Sequence, residues 1–172
     1  GPWKTGVTSV DINGDGKMDI YLSYSGALPA EKRINQLFIN VGNDTNGIPH
    51  FEEKAAEFGL NHSGFCNQAY FFDYDKDGDL DIFVLGGSAF FNNGNNSYFL
   101  INDGKGNFTY STKEIDLNKL GGQYHCELFD IDKDGYLDLI LGGHEFDVKD
   151  PTFVDKTKID GSVRIYWGNN TA

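Results

Sequence analysis

Residues 69–87 read AYFFDYDKDGDLDIFVLGG, in which two apolar segments flank a short acidic turn. Aromatic and β-branched residues dominate both segments, a composition that favours β-strands. The turn, from Asp73 to Asp81, contains five aspartates and one glycine. The stretch therefore predicts two antiparallel strands joined by an acidic loop.

The same unit occurs twice more, as VTSVDINGDGKMDIYLSYSG from Val7 and CELFDIDKDGYLDLILGGH from Cys126. The leading aspartates of the three copies are Asp11, Asp73 and Asp130, at spacings of 62 and 57 residues. Further strand-like segments follow the copies at 37–42, 50–54, 99–104, 107–111 and 163–168. The third copy has about seven additional residues before its third segment, and the chain ends before a fourth segment begins.

A repeat of roughly 60 residues made of four short antiparallel strands is typical of a β-propeller blade. We therefore predict an all-β chain, residues 1–172, forming one partial or open propeller of about three four-stranded blades, of which the last is incomplete. A β-sandwich is the alternative, but it gives a repeat of this length no structural meaning. Residues 53–60 resemble a helix but are short enough to form a turn between blades. The predicted blades cover residues 6–60, 66–116 and 122–172, and we interpret Gly1-Pro2 as a remnant of tag removal.

Each loop follows the pattern D-x-[DN]-x-D-G-x-x-D. Calcium is bound by six to eight oxygen atoms, and a nine-residue turn can place side chains 1, 3, 5 and 9 and carbonyl 7 around one point. The glycine at position 6 permits the sharp bend. We therefore predict three Ca²⁺ sites. Their ligands are Asp11, Asn13, Asp15, Lys17 and Asp19 in the first loop, Asp73, Asp75, Asp77, Asp79 and Asp81 in the second, and Asp130, Asp132, Asp134, Tyr136 and Asp138 in the third.

These loops have two other interpretations. An EF-hand loop needs an acidic residue at position 12 and a following helix, whereas position 12 is Leu22, Val84 and Leu141, within strand-like segments. A metal-free Asp/Gly hairpin turn explains a single copy of this pattern better than it explains three matching copies. In addition, carboxylates clustered in one turn repel one another without a cation. The first loop has an asparagine at position 3, so we predict that it binds calcium most weakly.

The formal net charge is −12. Such a chain repels a phosphate backbone, so nucleic acid is not an expected partner. No run of 18 apolar residues occurs, so we expect no membrane insertion. We expect Cys66 and Cys126 to be free buried thiols rather than a disulfide.

The loops, together with NQLFINVGN at 35–43, NDGKGNF at 102–108 and AAEFGL at 55–60, resemble the FG-GAP or VCBS repeat family and the blades of integrin α-subunit propellers. The resemblance covers residues 7–170. It implies a propeller of typically seven blades, a secreted or cell-surface location and structural calcium. Members include adhesion receptors, lectins and parts of polysaccharide-degrading proteins. Because such propellers have more blades than this chain, we expect either self-association through the open edges or a longer parent chain.

Antiparallel topology places the strand 2 to strand 3 loops and the blade-to-blade links at the end opposite the metal loops. We predict that this end binds a protein or glycan ligand, through loops 25–34, 88–96 and 144–161 and links 56–68 and 114–123. The four histidines, His50, His62, His125 and His144, occupy unrelated repeat positions and match no catalytic motif. We therefore expect a non-enzymatic recognition or adhesion module. The alternative is a fragment of a polysaccharide lyase or hydrolase whose catalytic residues lie elsewhere or on these loops.

Overall fold

The protein's structure, a computed structural model, describes residues 1–86, 97–111, 123–143, 158–160 and 163–166. Within these ranges, twelve strands form three antiparallel sheets of four strands each. Among the same residues, no helix is both long and apolar enough to span a membrane. The predicted ligand loop 88–96 lies outside the described residues. Of the predicted loop 144–161 only residues 158–160 are described, and of the predicted link 114–123 only residue 123.

The first sheet has the strand order β1-β2-β3-β4. Its strands are β1 (Trp3–Val10), β2 (Asp19–Ser25), β3 (Gln36–Asn43) and β4 (Pro49–Glu53). A single 3-10 turn, Ala30–Lys32, lies between β2 and β3. Thr8 pairs with Tyr21 and Tyr21 with Leu37, so these three residues share one face of the sheet.

The second sheet repeats this arrangement in the order β5-β6-β7-β8. Its strands are β5 (Cys66–Phe72), β6 (Asp81–Gly86), β7 (Tyr98–Asn102) and β8 (Phe108–Tyr110). Every residue of β6 is buried, as the continuous apolar run of this strand predicts for a sheet covered on both faces.

The third sheet contains β9 (Gln123–Phe129), β10 (Asp138–Gly143), β11 (Lys158–Asp160) and β12 (Val163–Tyr166). Its order is β9-β10-β12-β11, so the outermost strand precedes its neighbour in sequence. The prediction that this sheet lacks a fourth strand is wrong. The additional residues of the third copy supply the edge strand β11, which pairs with β12 as a hairpin.

The three sheets pack face to face in chain order. Tyr21 and Leu37 of the first sheet share a core with Ile82, Val84 and Leu100 of the second. The opposite face of the second sheet packs against the third through a core of Phe72, Phe83, Leu85, Phe99, Cys126, Leu139 and Leu141. This stacking confirms the blade-like architecture. Both cysteines are buried and free, which confirms that expectation.

The link between the first two sheets is anchored by Ala55 and Leu60, which are buried in the first core. Its later part lies beside the β2–β3 loop, where the backbone N–H of Asn35 donates to the carbonyl of His62 over 2.9 Å. Its earlier part differs from the prediction, because Phe58 lies beside Gly106 and lines a cavity with residues of the first two acidic loops. Placing residues 56–68 entirely at the end opposite these loops is therefore wrong.

Candidate metal centres in the three acidic loops

The three acidic loops connect the first two strands of each sheet and share positive φ angles at two equivalent positions. The fourth residue has a positive φ in each, +68° at Gly14, +62° at Lys76 and +63° at Lys133. The sixth residue is a glycine with φ between +82° and +98° in all three loops, Gly16, Gly78 and Gly135. Glycine adopts this conformation without a steric penalty. The sharp bend predicted at position 6 is therefore present in all three loops.

The last aspartate of each loop is buried and binds backbone N–H groups. Asp81 is 0% exposed, and its Oδ2 accepts a hydrogen bond of 2.9 Å from the N–H of Tyr74. Its Oδ1 accepts one of 2.8 Å from the N–H of Asn102 on β7. Burial raises the pKa of the Asp81 carboxyl to about 6, although these hydrogen bonds lower it. This residue therefore ties the loop to the sheet in addition to its predicted role as a ligand.

The partner of this aspartate, Asn102, was not predicted from the sequence. Asn102 is the last residue of β7, the third strand of its sheet. Its side-chain N–H donates to the carbonyl of Leu80 over 3.2 Å. Asn40 makes the equivalent contact with Met18 in the first sheet, over 3.4 Å. The signal in the sequence was the recurrence of Ile-Asn at 39–40 and 101–102.

The first aspartates of the second and third loops each keep one buried oxygen without a hydrogen-bond partner. The Oδ2 atom of Asp73 accepts from the N–H of Gly78 over 3.2 Å, and that of Asp130 from the N–H of Gly135 over 3.0 Å. In both residues Oδ1 is buried and unpartnered. A buried acceptor without a donor is costly unless a cation or water satisfies it.

Three carboxylates converge in each of these two loops. Oxygen atoms of Asp73, Asp75 and Asp81 all lie within 4.8 Å of one another, and the same holds for Asp130, Asp132 and Asp138. Oxygens that bind calcium at about 2.3–2.6 Å are separated by at most roughly 5 Å. The spacing and the hard oxygen donors therefore suit a calcium ion.

The fifth-position aspartates lie outside these groups. Asp77 Oδ1 accepts from the N–H of Asp79 over 3.2 Å, and Asp134 Oδ1 from the N–H of Tyr136 over 2.8 Å. Both aspartates are exposed. The structure thus brings together three of the four predicted carboxylates in each of the second and third loops. The predicted carbonyl ligands, those of Lys17, Asp79 and Tyr136, stay predictions.

The first loop satisfies its own carboxylates. Asp11 accepts hydrogen bonds at both oxygens, from the N–H groups of Asp15 at 3.0 Å and Gly16 at 2.8 Å. Asp15 forms an ion pair of 2.6 Å with Lys17. The hydrogen bond from the Lys17 side chain lowers the pKa of Asp15. Asn13 Oδ1 accepts from the N–H of Asp15 over 3.2 Å, so its carbonyl also has a donor within the loop.

A sequence profile described as an FG-GAP-like repeat matches residues 11–84 and 88–141, which together cover more than half of the chain. No curated protein matches the chain. The profile match begins at the first aspartate of the first loop and ends within β10, so it spans all three acidic loops. With its three blade-like sheets, the chain belongs to the family of FG-GAP-like repeat proteins.

Proposed function

We propose that this chain is an extracellular recognition module whose acidic loops bind structural calcium. The observation that carries the proposal is the buried, unpartnered Oδ1 of both Asp73 and Asp130, each within a group of three converging carboxylates. Two loops of the same repeat leave the same atom unsatisfied, which favours a shared ligand over a local irregularity. A divalent cation supplies what both atoms lack.

The calcium would be held by Asp73, Asp75 and Asp81 in the second loop and by Asp130, Asp132 and Asp138 in the third. It supplies positive charge that offsets repulsion among the carboxylates and joins the two strands that the loop connects. Because the unfolded chain does not form these groups, the free energy of binding adds to the stability of the fold. The first loop, with its own hydrogen bonds and ion pair, binds calcium most weakly.

An extracellular location agrees with this chemistry. Calcium-binding extracellular modules have dissociation constants of about 0.1–1 mM, which suits loops that offer few charged ligands. FG-GAP-like repeats are typical of extracellular proteins, and the net charge of −12 keeps the molecule away from nucleic acids and anionic membranes.

We place recognition of a protein or glycan at the end opposite the metal loops. The β2–β3 loop at this end is held rigidly, because the guanidinium of Arg33 donates to the carbonyls of Leu28 over 2.8 Å and Gly64 over 2.6 Å. The same guanidinium lies 3.8 Å from the ring centroid of Phe65. Binding residues concentrate on loops presented by such a rigid scaffold.

Calorimetric titration with calcium tests the metal part of the proposal, using Asp73→Asn, Asp130→Asn and Asp11→Asn as matched variants. We expect the first two each to abolish one of the stronger binding events and Asp11→Asn to affect only the weakest. A chelator should lower the melting temperature and calcium should restore it. If Asp11→Asn abolished the strongest calcium-binding event while the other two variants kept it, the assignment of the stronger sites to the second and third loops would be wrong.

The recognition part needs a separate measurement. We expect a glycan array or an extracellular protein array, probed in millimolar calcium, to give ligands that are bound without being converted. A turnover assay on each bound glycan decides the class, because product formation would favour the alternative of a fragment of a polysaccharide lyase or hydrolase.

A further inference from the structure

Neighbouring metal loops contact each other through a lysine at the junction of the second and third sheets. The ammonium group of Lys76, the fourth residue of its loop, lies 3.4 Å from the ring centroid of Tyr136, the seventh residue of the next loop. It also lies close to the backbone of Gly135, where an added Cβ would be 3.2 Å from Nζ. An ammonium group thus occupies the space between these two loops.

The equivalent positions at the junction of the first and second sheets are Gly14 and Asp79. Gly14 has no side chain, and a Cβ built there would have no atom within 4 Å. A cavity of about 430 Å³ lies between these two loops, with Gly14 and Asp79 among its lining residues. This volume falls in the range of about 300–1,000 Å³ that is usual for small-molecule sites.

The polar groups of the cavity need a donor. Asp79 Oδ1 is buried and has no hydrogen-bond partner. Asn102 lines the same cavity, is only 5% exposed, and its Oδ1 is also unpartnered. Both atoms can only accept hydrogen bonds. A cationic donor suits Asp79 better than a neutral one, because a carboxylate binds an ammonium through a charge-assisted hydrogen bond.

The remaining walls suit an aliphatic chain. Ile12, Phe58 and Leu80 line the cavity with apolar surface. A lysine side chain buries its methylene groups along such a surface while its ammonium group reaches a polar partner. Lys105 also lines the cavity, but the described part of the chain shows no ion pair between it and Asp79.

We propose that the cavity between the first and second loops binds a lysine side chain of a partner polypeptide, with the ammonium group beside Asp79 and Asn102. The partner's lysine takes the place that Lys76 occupies at the next junction. This site lies at the metal end of the sheets and is additional to the recognition face proposed above. Its existence does not depend on the identity of the ligand at that face.

The test is an NMR titration of the ¹⁵N-labelled protein in calcium buffer with Nα-acetyl-lysine amide, using Nα-acetyl-norleucine amide as the uncharged control. We expect saturable shifts of the Asn102 side-chain amide and of residues 78–80 with the lysine probe alone. Asp79→Asn should weaken the probe's binding about tenfold, since it removes a charge-assisted hydrogen bond. Equal shifts with the norleucine probe, or undiminished binding to the variant, would overturn the proposal.

A second experiment builds the cation into the chain. Gly14→Lys is compatible with the backbone, because Lys76 and Lys133 adopt the same positive φ at this position. We expect Gly14→Lys to block the lysine probe and to melt at a higher temperature than Gly14→Met, and we expect Asp79→Asn to abolish that difference. If Gly14→Lys melts no higher than Gly14→Met, the cavity does not select a cation and the proposal fails.

Discussion

The backbone N–H of Asn102 donates to Asp81 Oδ1 over 2.8 Å, so a strand at the middle of the second sheet is tied directly to the last residue of its acidic loop. The first sheet contains the same bond, from the N–H of Asn40 to Asp19 Oδ1, also at 2.8 Å. Both aspartates are fully buried. The last aspartate of the loop therefore holds the sheet together, and in the second loop it also belongs to the group of three converging carboxylates.

Asp81→Ala should destabilise the fold even without metal. The substitution leaves the N–H groups of Tyr74 and Asn102 without acceptors in a buried site, at a cost of about 2–5 kcal/mol. Urea unfolding in the presence of a chelator measures this loss. Asp75→Ala, at an exposed position of the same loop, is the control and should change stability by less than about 0.5 kcal/mol. Equal effects of the two variants would show that Asp81 has no structural role of its own.

Repetition made the strands predictable, because each strand of the first two sheets occupies an equivalent place in both copies. Tyr21 and Phe83, for example, lie at the same repeat position, and both are buried between sheets. The third sheet was predicted less well, since its edge strand β11 comes from residues with no counterpart in the other copies. A pattern found by comparing copies cannot place a segment that occurs once.

Gly6→Ala should disrupt the contact between the first two sheets. A Cβ at Gly6 would lie 2.4 Å from the backbone carbonyl oxygen of Asn67, so strands β1 and β5 would have to separate. Overpacking of this kind costs about 1–3 kcal/mol, and more where backbone must move. Gly142→Ala is the matched control, because its Cβ would meet its nearest neighbour at an ordinary 4.0 Å. Thermal unfolding should show a large decrease for the first variant and little change for the second.

The stability of the fold should depend on pH through His62. This side chain packs against Tyr98 and Tyr110 with ring centroids 5.2 and 5.0 Å away, and burial lowers its pKa. As the pH falls below about 6.5, the unfolded chain takes up a proton that the folded chain still excludes. Stability should therefore fall as the pH decreases from 7 towards the lowered pKa. Below that pKa, His62 should cause no further loss of stability.

His62→Phe keeps the aromatic packing and removes the titrating group. We expect urea unfolding between pH 7.5 and 5, at one saturating calcium concentration, to give a shallower loss of stability for the variant than for the unsubstituted protein. Parallel curves for the two proteins would contradict this role of His62.

The two groups of converging carboxylates were predictable as far as residue spacing determines them. The pattern identified Asp73, Asp75 and Asp81 correctly as neighbours in space, because a turn with glycine at position 6 brings residues 1, 3 and 9 together. It could not predict that Asp77 would bind a backbone N–H within its own loop or that Asp15 would pair with Lys17. Those contacts depend on competing local hydrogen bonds, which the residue pattern does not contain.

The first loop should become a strong calcium site when it gains the acidic residue that the second loop has at position 3 and loses its own lysine at position 7. In Asn13→Asp/Lys17→Met, the added carboxylate supplies the missing acidic residue at position 3, and removal of the lysine releases Asp15 from its 2.6 Å ion pair. Calcium competes better for carboxylates that have no internal cation. Calorimetry should then show the weakest of the three binding events strengthened by about tenfold or more, since one added carboxylate and one removed positive charge act in the same direction. Lys4→Met/Lys32→Met removes two lysines outside the loop, so it changes the net charge by the same −2 and is the matched control. If this control strengthened calcium binding as much as Asn13→Asp/Lys17→Met does, the effect would come from the overall charge of the protein rather than from the geometry of the loop.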